Sequence, residues 1–147
     1  MLYADEIFKW ANTLTLLPWL LMMIAPNWKW TKKLILGLFF PAIFALAYLL
    51  LFTMSFEAEN VADFSSLEGV AKLFSVKEAV LVGWLHYLAF DLLVGTWEYV
   101  DAKKQGIAHY ILVPCLFLTL MAGPVGFLLY AVIRYLKTKK FQVAVRD

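Results

Sequence analysis

Ala79-Val80-Leu81-Val82-Gly83-Trp84-Leu85-His86-Tyr87-Leu88-Ala89-Phe90-Asp91-Leu92-Leu93-Val94-Gly95-Thr96-Trp97-Glu98-Tyr99 is an apolar stretch that carries three ionisable side chains, His86, Asp91 and Glu98. Crossing about 30 Å of hydrocarbon takes roughly 20 helical residues, so this stretch is long enough to span a bilayer. The apolar stretches at 34–54 and 110–133 are comparably long and hold no acidic, basic or histidine residue. An ionisable group at membrane depth costs about 2.5–3.5 kcal/mol on insertion scales, and normally faces a bundle interior or a wet cavity where a partner offsets that cost. Any chemical centre is therefore expected on 79–99.

The composition points the same way. Of 147 residues, 63% are hydrophobic and 16% charged, whereas soluble domains hold about 25% charged residues. The apolar residues are blocked into runs, as a single integral membrane domain over 1–147 requires. A formal charge of +2, with dispersed basic residues, excludes nucleic acid as a partner. Cys115 is the single cysteine, so no intramolecular disulfide can form. The N-terminus is acidic (Asp5, Glu6) and lacks a small-residue cleavage site, which reads as a retained helix rather than a cleaved signal.

The expected fold is all-α: a polytopic bundle of four transmembrane helices over about 5–25, 33–55, 77–101 and 109–137. The first is the weakest, being short and interrupted by Asn12 and Pro18. Pro26-Asn27 ends it, and Trp28, Lys29, Trp30, Lys32 and Lys33 form an interfacial collar of aromatics and snorkelling cations. Ser75 and Glu78 fit a capping box before the third helix, and Lys103-Lys104-Gln105-Gly106 makes a polar turn after it. Between the second and third helices, in the loop 56–76, Ser65 and Glu68 fit another capping box. Phe64, Leu67, Ala71 and Phe74 then recur at helical spacing. That pattern predicts a short amphipathic helix in the membrane interface over about 65–75. Four crossings put the N-terminus, the 56–76 loop and the C-terminus on one side, and the positive-inside rule makes that side cytoplasmic. Pro18, Pro41 and Pro124 are expected to kink their helices. Ala122 and Gly126, four apart, offer a close-packing face to a neighbouring helix.

A helix advances about 100° per residue, so Asp91 and Glu98 fall within about 20° of each other. Gly95 lies between them on the same stripe, with Tyr87 a turn before Asp91. The result is a carboxylate-lined groove whose glycine admits another backbone or a ligand. His86 is turned about 140° from Asp91, towards Trp97, so one regular helix cannot direct both groups at one metal. A site using both needs a distorted helix, or groups from a second helix such as Asn12 or His109. Glu98 reads equally well as a solvated helix end near Asp101. Asp91 lies deeper, and a structural role for it would need a buried partner such as Asn12 or Arg134. The expected catalytic set is Asp91, His86 and Glu98, and the expected ligand-binding set is Asn12, Tyr87, Gly95, Trp84 and Trp97. Metal-binding, phosphate-binding, dinucleotide and nucleophile-elbow motifs are absent. No metal is expected, and the cofactor is unknown from sequence.

The segment Gly83-Trp84-Leu85-His86-Tyr87-Leu88-Ala89-Phe90-Asp91-Leu92-Leu93-Val94-Gly95 resembles the neoxanthin-synthase-like (abscisic-acid-deficiency) family of small integral membrane proteins. Similar segments are Ala11-Asn12, Leu17-Pro18-Trp19, Phe74-Ser75, Pro114-Cys115-Leu116 and Gly123-Pro124-Val125-Gly126-Phe127-Leu128-Leu129-Tyr130. The resemblance implies a membrane isomerase acting on an epoxy-carotenoid or related isoprenoid. In that reaction an epoxide opens and an allene with a tertiary hydroxyl forms, without net redox change. It needs an acid to protonate the epoxide oxygen and a base to take a vinylic proton. The resemblance assigns Asp91 as acid and His86 as base, with Glu98 as an alternative acid or base. Plant members carry a plastid-targeting extension that is not seen here, which points to a bacterial cytoplasmic membrane. Two other readings stand beside it. One is a non-catalytic protein that binds pigment or lipid, or assists an enzyme. The other is a proton-coupled transporter, for which four short helices without a repeat are thin. Convergence of Asp91 and His86 on one cavity would favour catalysis, whereas an apolar groove with the polar groups satisfied elsewhere would favour binding. Expected partners are membrane lipid, an apolar carotenoid-like ligand and, as an open option, further copies in a homo-oligomer.

Overall fold

The computed structural model describes residues 3–55 and 64–140. Part of the expected 56–76 loop, residues 56–63, lies outside them. The elements are α1 (Ala4–Ile24), α2 (Lys29–Leu36), α3 (Phe39–Ser55), α4 (Leu67–Leu73), α5 (Lys77–Gln105), α6 (His109–Ala122) and α7 (Pro124–Thr138). The described residues are all-α, and three stretches, Ala4–Ile24, Lys29–Met54 and Lys77–Gln105, are long and apolar enough to cross a membrane.

Helix α5 is the axis of the molecule and packs against α1, α3, α6 and α7. Leu81, Leu85, Leu88 and Leu92 make a buried stripe along it at the three- and four-residue spacing of a helix. Gly106 ends α5 at φ +64, where the missing Cβ removes the penalty of the left-handed region. Helix α1 runs parallel to α5. Asp5 pairs with Lys77 at 2.6 Å at one end. At the other, the Tyr99 hydroxyl and the Lys103 ammonium both donate to the Pro26 carbonyl. The second expected helix, 33–55, is divided into α2 and α3 at Gly37-Leu38, where Leu38 adopts φ +52.

The expected fourth helix, 109–137, is not one rod. It breaks at Gly123, and α7 folds back along α6. Two contacts fix its direction. The Thr119 hydroxyl of α6 donates to both oxygens of Glu98 at 3.0 and 3.1 Å, and Arg134 Nε of α7 pairs with Asp101 Oδ2 at 2.7 Å. Glu98 and Asp101 are one turn apart, whereas residues 119 and 134 would stand about 22 Å apart on a straight helix. Gly126 closes the hairpin, since a Cβ there would strike the Thr119 backbone nitrogen and the Cys115 carbonyl. The small-residue face at Ala122 and Gly126 thus packs in part against the preceding helix of the same stretch. At 14 and 15 residues, α6 and α7 are each about 21–22 Å long, short of a 30 Å crossing. The described chain accordingly ends at Lys140 beside the Asp101 end of α5, opposite Asp5. Four crossings would instead have put Asp5 and Lys140 on one side, so that expectation is corrected for the described residues.

Two capping expectations also change. Helix α4 forms, but Ser66 rather than Ser65 caps it, accepting from Gly69 N–H at 3.1 Å. Ser75 does not cap α5; its hydroxyl donates back to the Lys72 carbonyl at 2.6 Å. Leu67 and Phe64 on α4 and its approach are exposed, and Phe74 covers Gly83.

Candidate functional site

Three carboxylates of α5, Asp91, Glu98 and Asp101, engage the α6–α7 hairpin at successive depths. Asp101 is nearest the helix end. It is buried and accepts from Arg134 Nε at 2.7 Å, Tyr130 Oη at 2.7 Å and Gln105 Nε2 at 3.2 Å. Glu98 is fully buried, with the Thr119 hydroxyl as its donor. The solvated helix-end reading of Glu98 therefore fails: α6 lies over it. Arg134, one expected partner of Asp91, is committed to Asp101. The other, Asn12, accepts from Trp84 Nε1 at 2.9 Å and donates to the Phe8 carbonyl at 2.8 Å.

Asp91 meets the hairpin at its tip. A Cβ on Gly123 would stand 2.5 Å from Asp91 Oδ1 and 3.0 Å from Oδ2, so glycine is what lets the carboxylate sit against the break between the helices. Pro124, the first residue of α7, lacks an N–H and is suited to that position. Tyr87, a turn before Asp91, is close enough to interact with it. Asp91 Oδ2 is buried without a hydrogen-bond partner in the protein. Thr15 is likewise buried with an unpartnered hydroxyl. It lies on α1 between Asn12, which meets Trp84, and Trp19, which meets Gly95, and so at the level of residues 87–91.

The other expected site residues divide. Trp84 stacks on Tyr87 with ring centroids 5.3 Å apart, linking Asn12 to the tyrosine beside Asp91. The open side of Gly95 is filled by the Trp19 indole. Trp97 packs edge-on to Tyr130 at 5.4 Å and near Phe127, along an apolar groove of 480 Å³ lined by Leu38, Leu93, Val94, Thr96, Trp97, Val100 and Phe127. His86 is exposed, between Tyr48 of α3 (5.7 Å) and Phe90 (4.6 Å). It is not brought to Asp91. His109 Nε2 donates to the Met23 carbonyl at 2.8 Å and ties α6 to α1. Among the described residues, no three His, Cys, Asp or Glu side chains are grouped to hold a metal ion.

A sequence profile of the family described as ABA DEFICIENT 4-like matches residues 6–130, most of the chain. The chain belongs to the ABA4-like family. The matched region runs from α1 through the hairpin tip and so contains Asp91, Glu98, Thr119 and Gly123, but stops before Arg134. Among curated proteins, the chain is similar to Protein ABA DEFICIENT 4, chloroplastic, from Arabidopsis thaliana, with 30% identity over 111 residues. That alignment takes in 71% of this chain and 50% of the relative, so the ABA4-like chain spans about half the relative's length. No solved structure matches it.

Sequence reasoning did not single out Thr15, the Thr119 contact to Glu98 or the Asp101–Tyr130–Arg134 cluster. Their signal is tertiary, since each lies on a different helix from the group it faces or on an unremarkable stripe. Gly123-Pro124 was the one local clue, because proline disfavours helix in the residue before it.

Proposed function

We propose that this ABA4-like chain is a membrane acid–base isomerase of an epoxy-carotenoid or related apolar isoprenoid, with the Asp91 carboxyl at its centre. The observation that carries the reading is the buried, unpartnered Oδ2 of Asp91 at the hairpin tip. Tyr87 is the hydroxyl beside this carboxyl, and the Oδ2 atom it leaves unbonded supports a role towards a bound group. Isomerisation conserves atoms. One proton goes to the epoxide oxygen as its C–O bond breaks, and one leaves carbon as the allene forms. Asp91 in its acid form suits the first transfer. Glu98, on the same face of α5 and also under the hairpin, is the second carboxyl and in its ionised form suits taking the carbon proton, His86 being directed towards α3. Entry from the bilayer suits a long apolar substrate.

A second reading, a non-catalytic pigment or lipid carrier, draws support from the apolar groove along Trp97 and from the separation of His86 from Asp91. Pigment analysis of carotenoid-producing cells expressing wild type or Asp91→Asn at matched protein levels separates the two. Catalysis at Asp91 yields a new isomer with wild type only. Unchanged pigments across several carotenoids, with pigment co-purifying with both proteins, would favour the carrier.

A further inference from the structure

Because α7 turns back, it delivers its basic end to the same end of the molecule as two other basic groups. Exposed Lys29, Lys32 and Lys33 lie on α2, and exposed Lys103 and Lys104 close α5. Exposed Lys137, Lys139 and Lys140 follow at the end of α7, brought alongside by the Arg134–Asp101 pair. The α5 carboxylates nearest this end, Glu98 and Asp101, are buried and already hydrogen-bonded, so they do not neutralise these lysines. Exposed Trp28, Trp30, Tyr110 and Tyr135 share this end, the aromatic belt of a headgroup layer. At the opposite end, among the described residues, Asp5, Glu6, Glu68 and Glu78 face Lys9, Lys72 and Lys77, and Lys77 is paired with Asp5.

We propose that the lysine-rich end lies in the anionic headgroup layer of the cytoplasmic leaflet and binds anionic phospholipid there, with the Asp5 end on the far side. The physical basis is charge complementarity. Eight exposed lysines at one end meet the negative surface potential of that leaflet, and the same bias directs insertion. The sequence read as a four-span bundle divides these cations between two sides and hides the asymmetry. Only the hairpin gathers them.

Two measurements on the full-length protein test this. Lys72→Cys and Lys139→Cys are exposed to a membrane-impermeant maleimide in bacterial spheroplasts, before and after lysis, with the parent and its buried Cys115 as background. Lys72→Cys should label in intact spheroplasts and Lys139→Cys only after lysis. Labelling of both from one side, or the reverse pattern, would overturn the orientation. In phosphatidylcholine nanodiscs, brominated phosphatidylglycerol should quench tryptophan fluorescence about twofold more than brominated phosphatidylcholine. That excess should disappear in K29Q/K32Q/K33Q, whose substitutions flank Trp28 and Trp30 on the surface. Equal quenching by the two lipids in the wild type would overturn the binding.

Discussion

Replacing Arg134 by methionine tests whether one buried ion pair holds the hairpin against α5. The Arg134 and Asp101 side chains are 6% and 8% exposed and meet at 2.7 Å. Removing one member of such a pair strands the other charge and typically costs about 3–5 kcal/mol. Asp101 would keep its bonds from Tyr130 at 2.7 Å and Gln105 at 3.2 Å, which partly solvate it and set the expected loss near the lower bound, about 3 kcal/mol. Arg134 Nη1 also donates to the Lys140 carbonyl at 2.9 Å, so the end of α7 loosens together with the pair. Substituting both, Asp101→Leu with Arg134→Met, strands no charge and leaves mainly the Tyr130 hydroxyl without its partner, about 1 kcal/mol. The assay is reversible denaturant unfolding in micelles followed by tryptophan fluorescence, with limited proteolysis to locate the opening at α7. A single variant that loses under about 1 kcal/mol, or a double variant that loses more than the single, would refute the reasoning.

Gly123→Ala drives a methyl to 2.5 Å from Asp91 Oδ1, displacing the carboxylate by about 1 Å. On the proposed reaction, isomer formation in pigment-producing cells should fall about 100-fold while unfolding stability changes by only about 1 kcal/mol. Gly126→Leu presses on the Thr119 and Cys115 backbone, which cannot turn aside as a side chain can. It should destabilise the protein by about 3 kcal/mol and expose α7 to protease. Thr119→Val removes the hydroxyl donor of the fully buried Glu98 at nearly constant volume. Denaturant unfolding should register a loss of about 1–3 kcal/mol, recovered largely by Thr119→Ser.

How much of the site was legible depended on whether its geometry lies within one helix. Asp91 and Glu98 share a face because seven residues make nearly two turns, and the structure has both under the hairpin. The divergence of His86 from Asp91 follows from the same rotation. What covers that face did not follow, since nothing in the period of 110–133 separates one crossing helix from two antiparallel half-length ones. Both are apolar throughout, and both end in a basic cluster. From sequence Glu98 reads equally as a solvated helix end near Asp101 or as a catalytic carboxyl, and only the packing of α6 over it removes the first reading.

The sequence by itself determined the all-α class, the long apolar stretches that make Ala4–Ile24, Lys29–Met54 and Lys77–Gln105 candidate membrane spans, and the helix on which ionisable groups are concentrated, but not that the fourth expected span is a hairpin. Those features depend on local composition, length and the 100° step of a helix. The tertiary structure alone decided that the chain folds back at Gly123, that Arg134 answers Asp101 rather than Asp91, and that the cations gather at one end. These depend on which surfaces meet. A glycine without a Cβ, two half-length helices and a buried charge that must find its counter-charge select that meeting only when all the helices are present together.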